Sequence, residues 1–112
     1  MKSFELPIIV GKHCEPWAAV AFEPAPGSTF VVHRSNGATR GEWLVTHRGT
    51  TFISGHAPTR ATALKMAAEM QIACPHASSV KAAQNASGQL EKLTGPHRKL
   101  RAEIKSFHGL ER

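Results

Sequence analysis

Histidine and arginine side chains gather in the stretch GEWLVTHRGTTFISGHAPTRATALKMAAEM, which spans residues 41–70. Two of them end an apolar run, and two flank Pro58-Thr59, where a helix is expected to begin. The free N–H groups of a helix N-terminus, with an arginine beside them, suit a phosphate. Turns and helix caps need none of these side chains. We therefore interpret them as candidate ligand contacts, with two arginines from neighbouring segments: His47, Arg48, His56, Arg60, Arg34 and Arg40.

A second basic group lies in the C-terminal segment. There Leu100, Ile104 and Phe107 follow one another at helical spacing and form a narrow apolar stripe. The cations around this stripe could neutralise phosphates along one surface, and each contact would add to the salt dependence of binding. The stripe is too short for a membrane-surface helix, although it could dock on a protein. We add these cations to the predicted binding surface: Arg98, Lys99, Arg101 and Lys105.

The hairpin and helix entry in residues 41–70 are loosely similar to part of some small DNA-binding domains. Trp43, a short hairpin and the sequence Thr59-Arg60-Ala61-Thr62-Ala63 resemble the strand–strand–helix unit of modules such as the integrase arm type. In those modules a three-stranded sheet lies in the major groove. The resemblance implies a nucleic-acid partner, and we assign no family from it.

The histidines also raise the question of catalysis. The sequence contains no P-loop, nucleophile elbow, zinc-protease motif or dinucleotide fingerprint, and it has no aspartate. A metal-independent ribonuclease would need a histidine acid or base beside a cation that holds the phosphate. His47 with Arg48, or His33 with Arg34, has that composition. We predict a protein that is not an enzyme and keep ribonuclease activity as a lesser alternative.

The two cysteines, Cys14 and Cys74, indicate neither a metal site nor a cofactor site. Each lies near a histidine, at His13 and His76, but the spacing is unlike the paired ligands of zinc sites. A chain of this length can form a core without disulfides, so reduced thiols are the simpler interpretation. A disulfide between the two cysteines stays open at this point.

The charge balance favours an anionic partner. Fourteen Lys and Arg residues face eight acids, all glutamates, which gives a net charge of +6 and a pI near 9.9. Residues 57–112 hold nine of the bases and four of the acids. Such a field attracts polyanions or an acidic protein surface. No apolar run approaches the length of a membrane span, and the N-terminus lacks a signal sequence, so we expect a soluble, cytoplasmic protein.

The order of the predicted elements indicates a single α+β domain over residues 1–112. Strands fill residues 1–56 and helices fill residues 57–112, which predicts an antiparallel β-meander of four to five strands followed by two to three helices packed on one face. The predicted strands are Phe4–Val10, Trp17–Glu23, Ser28–Arg34, Glu42–His47 and Thr51–Ser54. The predicted helices run from the cap Thr59 to Pro75, from Ser78 or Ser79 past Leu90, and from Pro96 to Gly109.

Apolar residues are expected on both faces of the sheet. Period-two alternation places Phe30 with Val32, and Trp43 with Val45, on one face. Val31, His33, Leu44 and Thr46 occupy the opposite face, which the C-terminal helix or a partner would cover. An under-covered sheet would also allow a homodimer. On the first helix the expected core stripe is Ala63, Leu64, Ala67, Ala68 and Ile72, with Met66 and Met70 beside it.

These observations together predict a small basic binding protein. The favoured partner is DNA or RNA, and the favoured role is that of a regulatory or accessory factor. The alternative is a protein-binding inhibitor or adaptor, such as a phage- or plasmid-type antagonist of a host defence complex, in which the apolar sheet and the last helix form the interface.

Overall fold

The computed structural model describes residues 2–8, 17–34, 42–79 and 95–110. Its sheet has five strands in the order β1-β2-β3-β4-β5, and each strand pairs antiparallel with the next. The predicted meander and the α+β class are therefore confirmed. The strands are β1 (Ser3–Ile8), β2 (Trp17–Phe22), β3 (Phe30–Arg34), β4 (Trp43–His47) and β5 (Ile53–Ala57). The helices are α1 (Arg60–Ala73), a short 3-10 helix (Pro75–Ser79) and α2 (Gly95–Leu110).

The last strand begins and ends later than the sequence predicts. Thr51 has a φ of 60°, in the left-handed region, and belongs to the turn rather than to β5. The turn is closed by the His47 N–H, which donates to the Phe52 carbonyl at 2.8 Å, and by the Thr51 N–H, which donates to the His47 carbonyl at 2.7 Å. The strand then continues through Gly55, where a Cβ would lie 2.9 Å from the Met66 sulfur. A larger residue there would require the Met66 side chain to shift.

Helix α1 begins and ends where the local signals predict. The Thr59 hydroxyl accepts the Thr62 N–H at 3.2 Å, which satisfies one of the free first-turn donors. The helix ends before Cys74, whose N–H donates to the Met70 carbonyl, and Pro75 follows.

The buried face of α1 is rotated from the expected stripe. It consists of Ala63, Ala67 and Met70, whereas Ala68 is exposed and Ile72 is 84% exposed. Alanine is small on every side of this helix, so its apolar pattern defines no sharp face.

Helix α2 packs against α1 and the 3-10 helix. Leu100 and Phe107 are buried, as the narrow stripe predicts. A carboxylate oxygen of Glu103 accepts the His76 N–H at 3.0 Å, and the His108 ring donates to the Ser54 carbonyl. The helix predicted between Ser78 and Leu90 lies almost entirely outside the described residues. Of the helices that the structure describes, none is long and apolar enough to cross a membrane.

Both faces of the sheet are buried at its centre. On the helix side, Phe30, Val32 and Val45 form one core with α1 and α2. On the other side, Val31 joins a smaller apolar cluster with Leu6, Ala19 and Ala21 from the β1–β2 hairpin. The prediction of a two-sided apolar sheet is confirmed in β3, where neighbouring residues are buried on opposite faces.

Candidate nucleic-acid interface

The four His and Arg residues singled out in residues 41–70 do not form one site. His47 points into the helix-side core, and Arg48, the next residue, points to the opposite face, as alternation along a strand requires. His56 lies 3.9 Å from a Glu42 oxygen, and its side chain is exposed. Arg60 lies on the aromatic rings at the start of α1. The four side chains predicted to act together therefore point in different directions and cannot contact one ligand.

His47 is a structural residue of the interior, which corrects its assignment as a surface contact. Its side chain has no exposed area. Nε2–H donates to the Ala77 carbonyl at 2.8 Å, and Nδ1 accepts the Thr50 N–H at 3.1 Å. The ring thereby ties the β4–β5 turn to the 3-10 helix, and it does not reach a partner at the surface.

His33 is likewise buried, on the other face of the sheet. Its Nδ1–H donates to the Arg34 carbonyl at 3.0 Å, so Nε2 accepts the Thr46 hydroxyl at 2.7 Å. Burial lowers the pKa of the ring below its ordinary value, and the hydrogen bond to the Arg34 carbonyl opposes that shift. The acid–base geometry that a ribonuclease needs at an accessible phosphate is absent at both His33 and His47.

Arg48 is exposed but locally neutralised. Its guanidinium lies 3.0 Å from a Glu23 carboxylate oxygen and sits over the Phe4 ring, with Cζ 4.4 Å from the ring centroid. Glu23 also accepts the Gly27 N–H. Arg48 thereby links β1, the β2–β3 turn and the β4–β5 turn. Because Glu23 occupies part of its guanidinium, Arg48 would bind a phosphate more weakly than an unpaired arginine would.

Arg34 and Arg60 meet at one half-buried tryptophan. Arg34 pairs with Trp43 across β3 and β4, and its Cζ lies 5.6 Å from the Trp43 ring centroid. Trp43 also pairs with Ala57, from which Pro58 and Thr59 lead directly into α1 and bring the Arg60 Cζ to 5.9 Å from the same centroid. The Phe22 ring lies 4.9 Å from that Cζ and 5.9 Å from the Trp43 ring. We call Phe22, Arg34, Trp43 and Arg60 the arginine–tryptophan cluster.

The arginine–tryptophan cluster carries net positive charge. Within the described ranges, neither Arg34 nor Arg60 has a carboxylate oxygen within 4.0 Å, and their contacts are with aromatic rings. The first turn of α1 contains no acid. Both guanidinium groups therefore keep their hydrogen-bond donors for an external anion.

The basic residues of α2 divide between two sides of the helix. Arg98, Arg101 and Lys105 lie at intervals of three and four residues, which places them on one stripe. They line a shallow depression together with Ala102, on the side away from the buried Leu100. Lys99 is exposed on a different side because neighbouring residues are about 100° apart around a helix. We call Arg98, Arg101 and Lys105 the α2 stripe.

The aromatic part of this surface is not predicted from the sequence. Alternation places Trp43 on one face of the sheet with Val45, and Phe22 receives no role. The signal that could have identified them is the strand register, because Arg34 stands opposite Trp43 only in the pairing observed. Arg40 lies outside the described residues, as do His13 and Cys14.

The described residues contain no group of metal ligands. No three His, Cys or Glu side chains among them come together around one point. Cys74 is a free, buried thiol. Burial, helped by the negative charge of Glu103, raises the pKa of Cys74 to about 11, so it stays protonated near neutral pH and is a poor nucleophile.

The geometry of these surfaces has to be interpreted from this chain alone. Comparison with models of protein families, with curated proteins and with solved structures gave no match.

Proposed function

We propose that this protein is a nucleic-acid-binding regulatory or accessory factor of the cytoplasm. The observation that carries the proposal is the α2 stripe. Its three cations share one exposed helix surface, and none of them has a carboxylate oxygen within 4.0 Å in the described part of the chain. The arginine–tryptophan cluster adds two more exposed cations in the same unpaired state.

The dimensions of the α2 stripe suit a phosphate backbone. Lys105 lies seven positions after Arg98, and at 1.5 Å of rise per residue this is about 10 Å along the helix. Arg101 lies between them. Cations spaced in this way can contact successive phosphates, and each neutralised phosphate releases counterions and stabilises the complex entropically.

Such contacts give affinity without sequence preference. Phosphate contacts position a protein on nucleic acid, and base contacts specify the sequence. The net charge of +6 adds long-range attraction and speeds association at low salt. Binding through the α2 stripe should therefore be strongly dependent on ionic strength.

A salt titration with matched variants tests this proposal. Binding of a fluorescent mixed-sequence duplex is measured by anisotropy between about 50 and 200 mM salt. Arg98→Gln/Lys105→Gln removes two cations of the α2 stripe, and Lys2→Gln/Lys65→Gln removes two exposed cations elsewhere. Both double variants have the same net charge.

The stripe variant should bind more weakly, and its slope of log K against log salt should be shallower by about 2. The control variant should lose only the long-range part of the attraction and keep a slope near that of the original protein. Absence of binding at about 50 mM salt, or an equal loss in both variants, would overturn the proposal.

Protein binding is the alternative function. That hypothesis uses the apolar sheet face and the apolar side of the last helix, but Val31, Leu100 and Phe107 are buried within the chain. Among the described residues, the large exposed apolar side chains are those of Val20, Ile53 and Ile72, which come from three different elements. A pull-down from lysate distinguishes the two functions, because a protein partner would remain after nuclease treatment and a nucleic-acid-mediated one would not.

A further inference from the structure

We infer that the arginine–tryptophan cluster binds an unstacked base and its neighbouring phosphates, so that the protein prefers single-stranded nucleic acid. The inference deepens the proposed function and rests on it. Its basis is one juxtaposition: two exposed guanidinium groups, which no carboxylate of the described residues pairs with, lie over one half-buried tryptophan ring, and a phenylalanine ring packs beside it.

The two guanidinium groups are held in place, and no carboxylate in the described part of the chain neutralises them. Each sits within about 6 Å of a ring centroid, the range in which a cation is attracted by the electrons of an aromatic face. Arg48 contrasts with them, because a carboxylate occupies its guanidinium as well as an aromatic ring. A phosphate could approach Arg34 and Arg60 without displacing an acid.

The aromatic rings have a rigid base. Trp43 and Phe22 pack against the main core, next to buried Val32, Val45 and Ala57. The strand pairing fixes Trp43 between Arg34 and Ala57. The half-buried Trp43 ring and the guanidinium planes over it offer a base a stacking surface held against the core, so little side-chain freedom remains to be lost on binding.

This combination distinguishes single strands from duplexes. In a duplex both faces of each base are covered by its neighbours, whereas a single strand can place a base face against an aromatic ring or a guanidinium plane. Stacking on an aromatic side chain strengthens binding by about tenfold per base. The α2 stripe contacts phosphates, which both forms present, so the preference has to come from the arginine–tryptophan cluster.

Tryptophan fluorescence reports directly on the cluster. The chain has two tryptophans, so Trp17→Phe leaves Trp43 as the single emitter. This variant is titrated at low salt with oligothymidylate of about 20 nucleotides and with a DNA hairpin of equal phosphate number. Oligothymidylate should quench and shift the Trp43 emission, and the hairpin should bind with little change in it.

Affinity measurements provide a second readout on the chain with both tryptophans. Arg34→Gln/Arg60→Gln is compared with Lys2→Gln/Lys65→Gln by anisotropy on labelled oligothymidylate and on the labelled hairpin. The cluster variant should lose about tenfold or more in affinity for oligothymidylate relative to the control. Its loss on the hairpin should match that of the control. Thermal melts establish that each variant is folded.

The outcomes separate this inference from the proposed function. Equal, salt-sensitive binding of both ligands with unchanged Trp43 emission would overturn the single-strand preference and leave nucleic-acid binding in place. Failure of both ligands to bind at low salt would overturn the two together. Quenching by oligothymidylate, with a selective loss in the cluster variant, supports the inference.

Discussion

Two of the three His-Arg dipeptides in the chain, His33-Arg34 and His47-Arg48, lie at the ends of neighbouring strands, and the structure uses them in opposite ways. The first dipeptide ends β3, and the histidine of the second ends β4. In each, the histidine is buried and the arginine is exposed. His33 faces the side of the sheet away from the helices, whereas His47 faces the helix-side core. Their arginines consequently project to opposite faces of the sheet.

The surroundings of the two arginines differ more than their sequences do. Arg48 meets a carboxylate of Glu23 and an aromatic ring, and it holds three segments together. Among the residues that the structure describes, the Arg34 guanidinium contacts the Trp43 ring, which it shares with Arg60, and no carboxylate. The difference comes from the partner strand, which places a tryptophan opposite one arginine, and from a turn that carries a glutamate to the other. The same dipeptide therefore serves folding in one place and a candidate binding surface in the other.

The largest expected effect is the loss of stability on replacing His47, which should far exceed the loss on replacing its neighbour Arg48. His47→Ala leaves the Ala77 carbonyl and the Thr50 N–H without their partner and opens a cavity in the core. It should reduce the free energy of unfolding by about 3 kcal/mol. Arg48→Ala breaks a solvent-exposed ion pair and should cost about 1 kcal/mol or less. Urea denaturation measures both, and similar losses would contradict the structural role given to His47.

The pH dependence of stability tests the histidine of the first dipeptide. Burial lowers the pKa of His33 in the folded protein, so below the ordinary value of 6.5 the unfolded chain binds a proton more readily than the native one. Its contribution to stability is therefore complete above pH 6.5 and is lost as the pH falls through the lowered folded-state pKa. Urea midpoints measured from pH 8 to pH 5 should fall more steeply for the original protein than for His33→Gln. Parallel profiles would show that His33 is not the group responsible.

Local sequence signals account for much of this fold. Helix α1 could be predicted because its cap, Thr59, and the proline after Cys74 act on residues next to them in the sequence. The β4–β5 hairpin could be predicted for the same reason, since its turn at Gly49 is closed by hydrogen bonds between residues that are close in the sequence. Rotation of α1 could not, because alanine on several sides leaves Ile72 free to face solvent.

The directions of the candidate side chains depend on information that lies between strands. Alternation predicts that His47 and Arg48 point to opposite faces, but not which of them is buried. The register of β3 against β4 decides that Arg34 meets Trp43, and the irregularity between Val45 and Thr46 shifts the pairing with β5. Register depends on turn geometry and on the apolar patterns of both strands together, so the residues of one strand alone do not determine it.

A binding comparison between the two arginines extends the contrast to the surface. Arg34→Gln and Arg48→Gln change the net charge equally, so long-range attraction falls by the same amount in both. Removing Arg34 should weaken binding of oligothymidylate several-fold and reduce the salt slope by about 0.7, the share of one phosphate contact on a single strand. Removing Arg48 should leave the slope within error of the original protein. Anisotropy titrations at several salt concentrations give both quantities, and an equal slope change would place Arg48 in the interface as well.

The smallest expected effect comes from removing the carboxylate that pairs with Arg48, which leaves this arginine, like Arg34, without an ion pair among the described residues. Glu23→Gln removes the carboxylate from Arg48 while keeping an amide that can still accept the Gly27 N–H. Because the pair is exposed, the free energy of unfolding should change by less than about 1 kcal/mol. Arg48 would then resemble Arg34, an unpaired guanidinium over an aromatic ring.

The binding affinity of this variant shows what keeps Arg48 out of the binding surface. If the carboxylate alone does so, the affinity for nucleic acid should rise by about twofold, and the slope of log K against log salt should steepen by up to about 0.9. An unchanged slope, with the variant folded, would show that the position of Arg48 on the far face of the sheet, rather than its charge state, separates it from the binding surface.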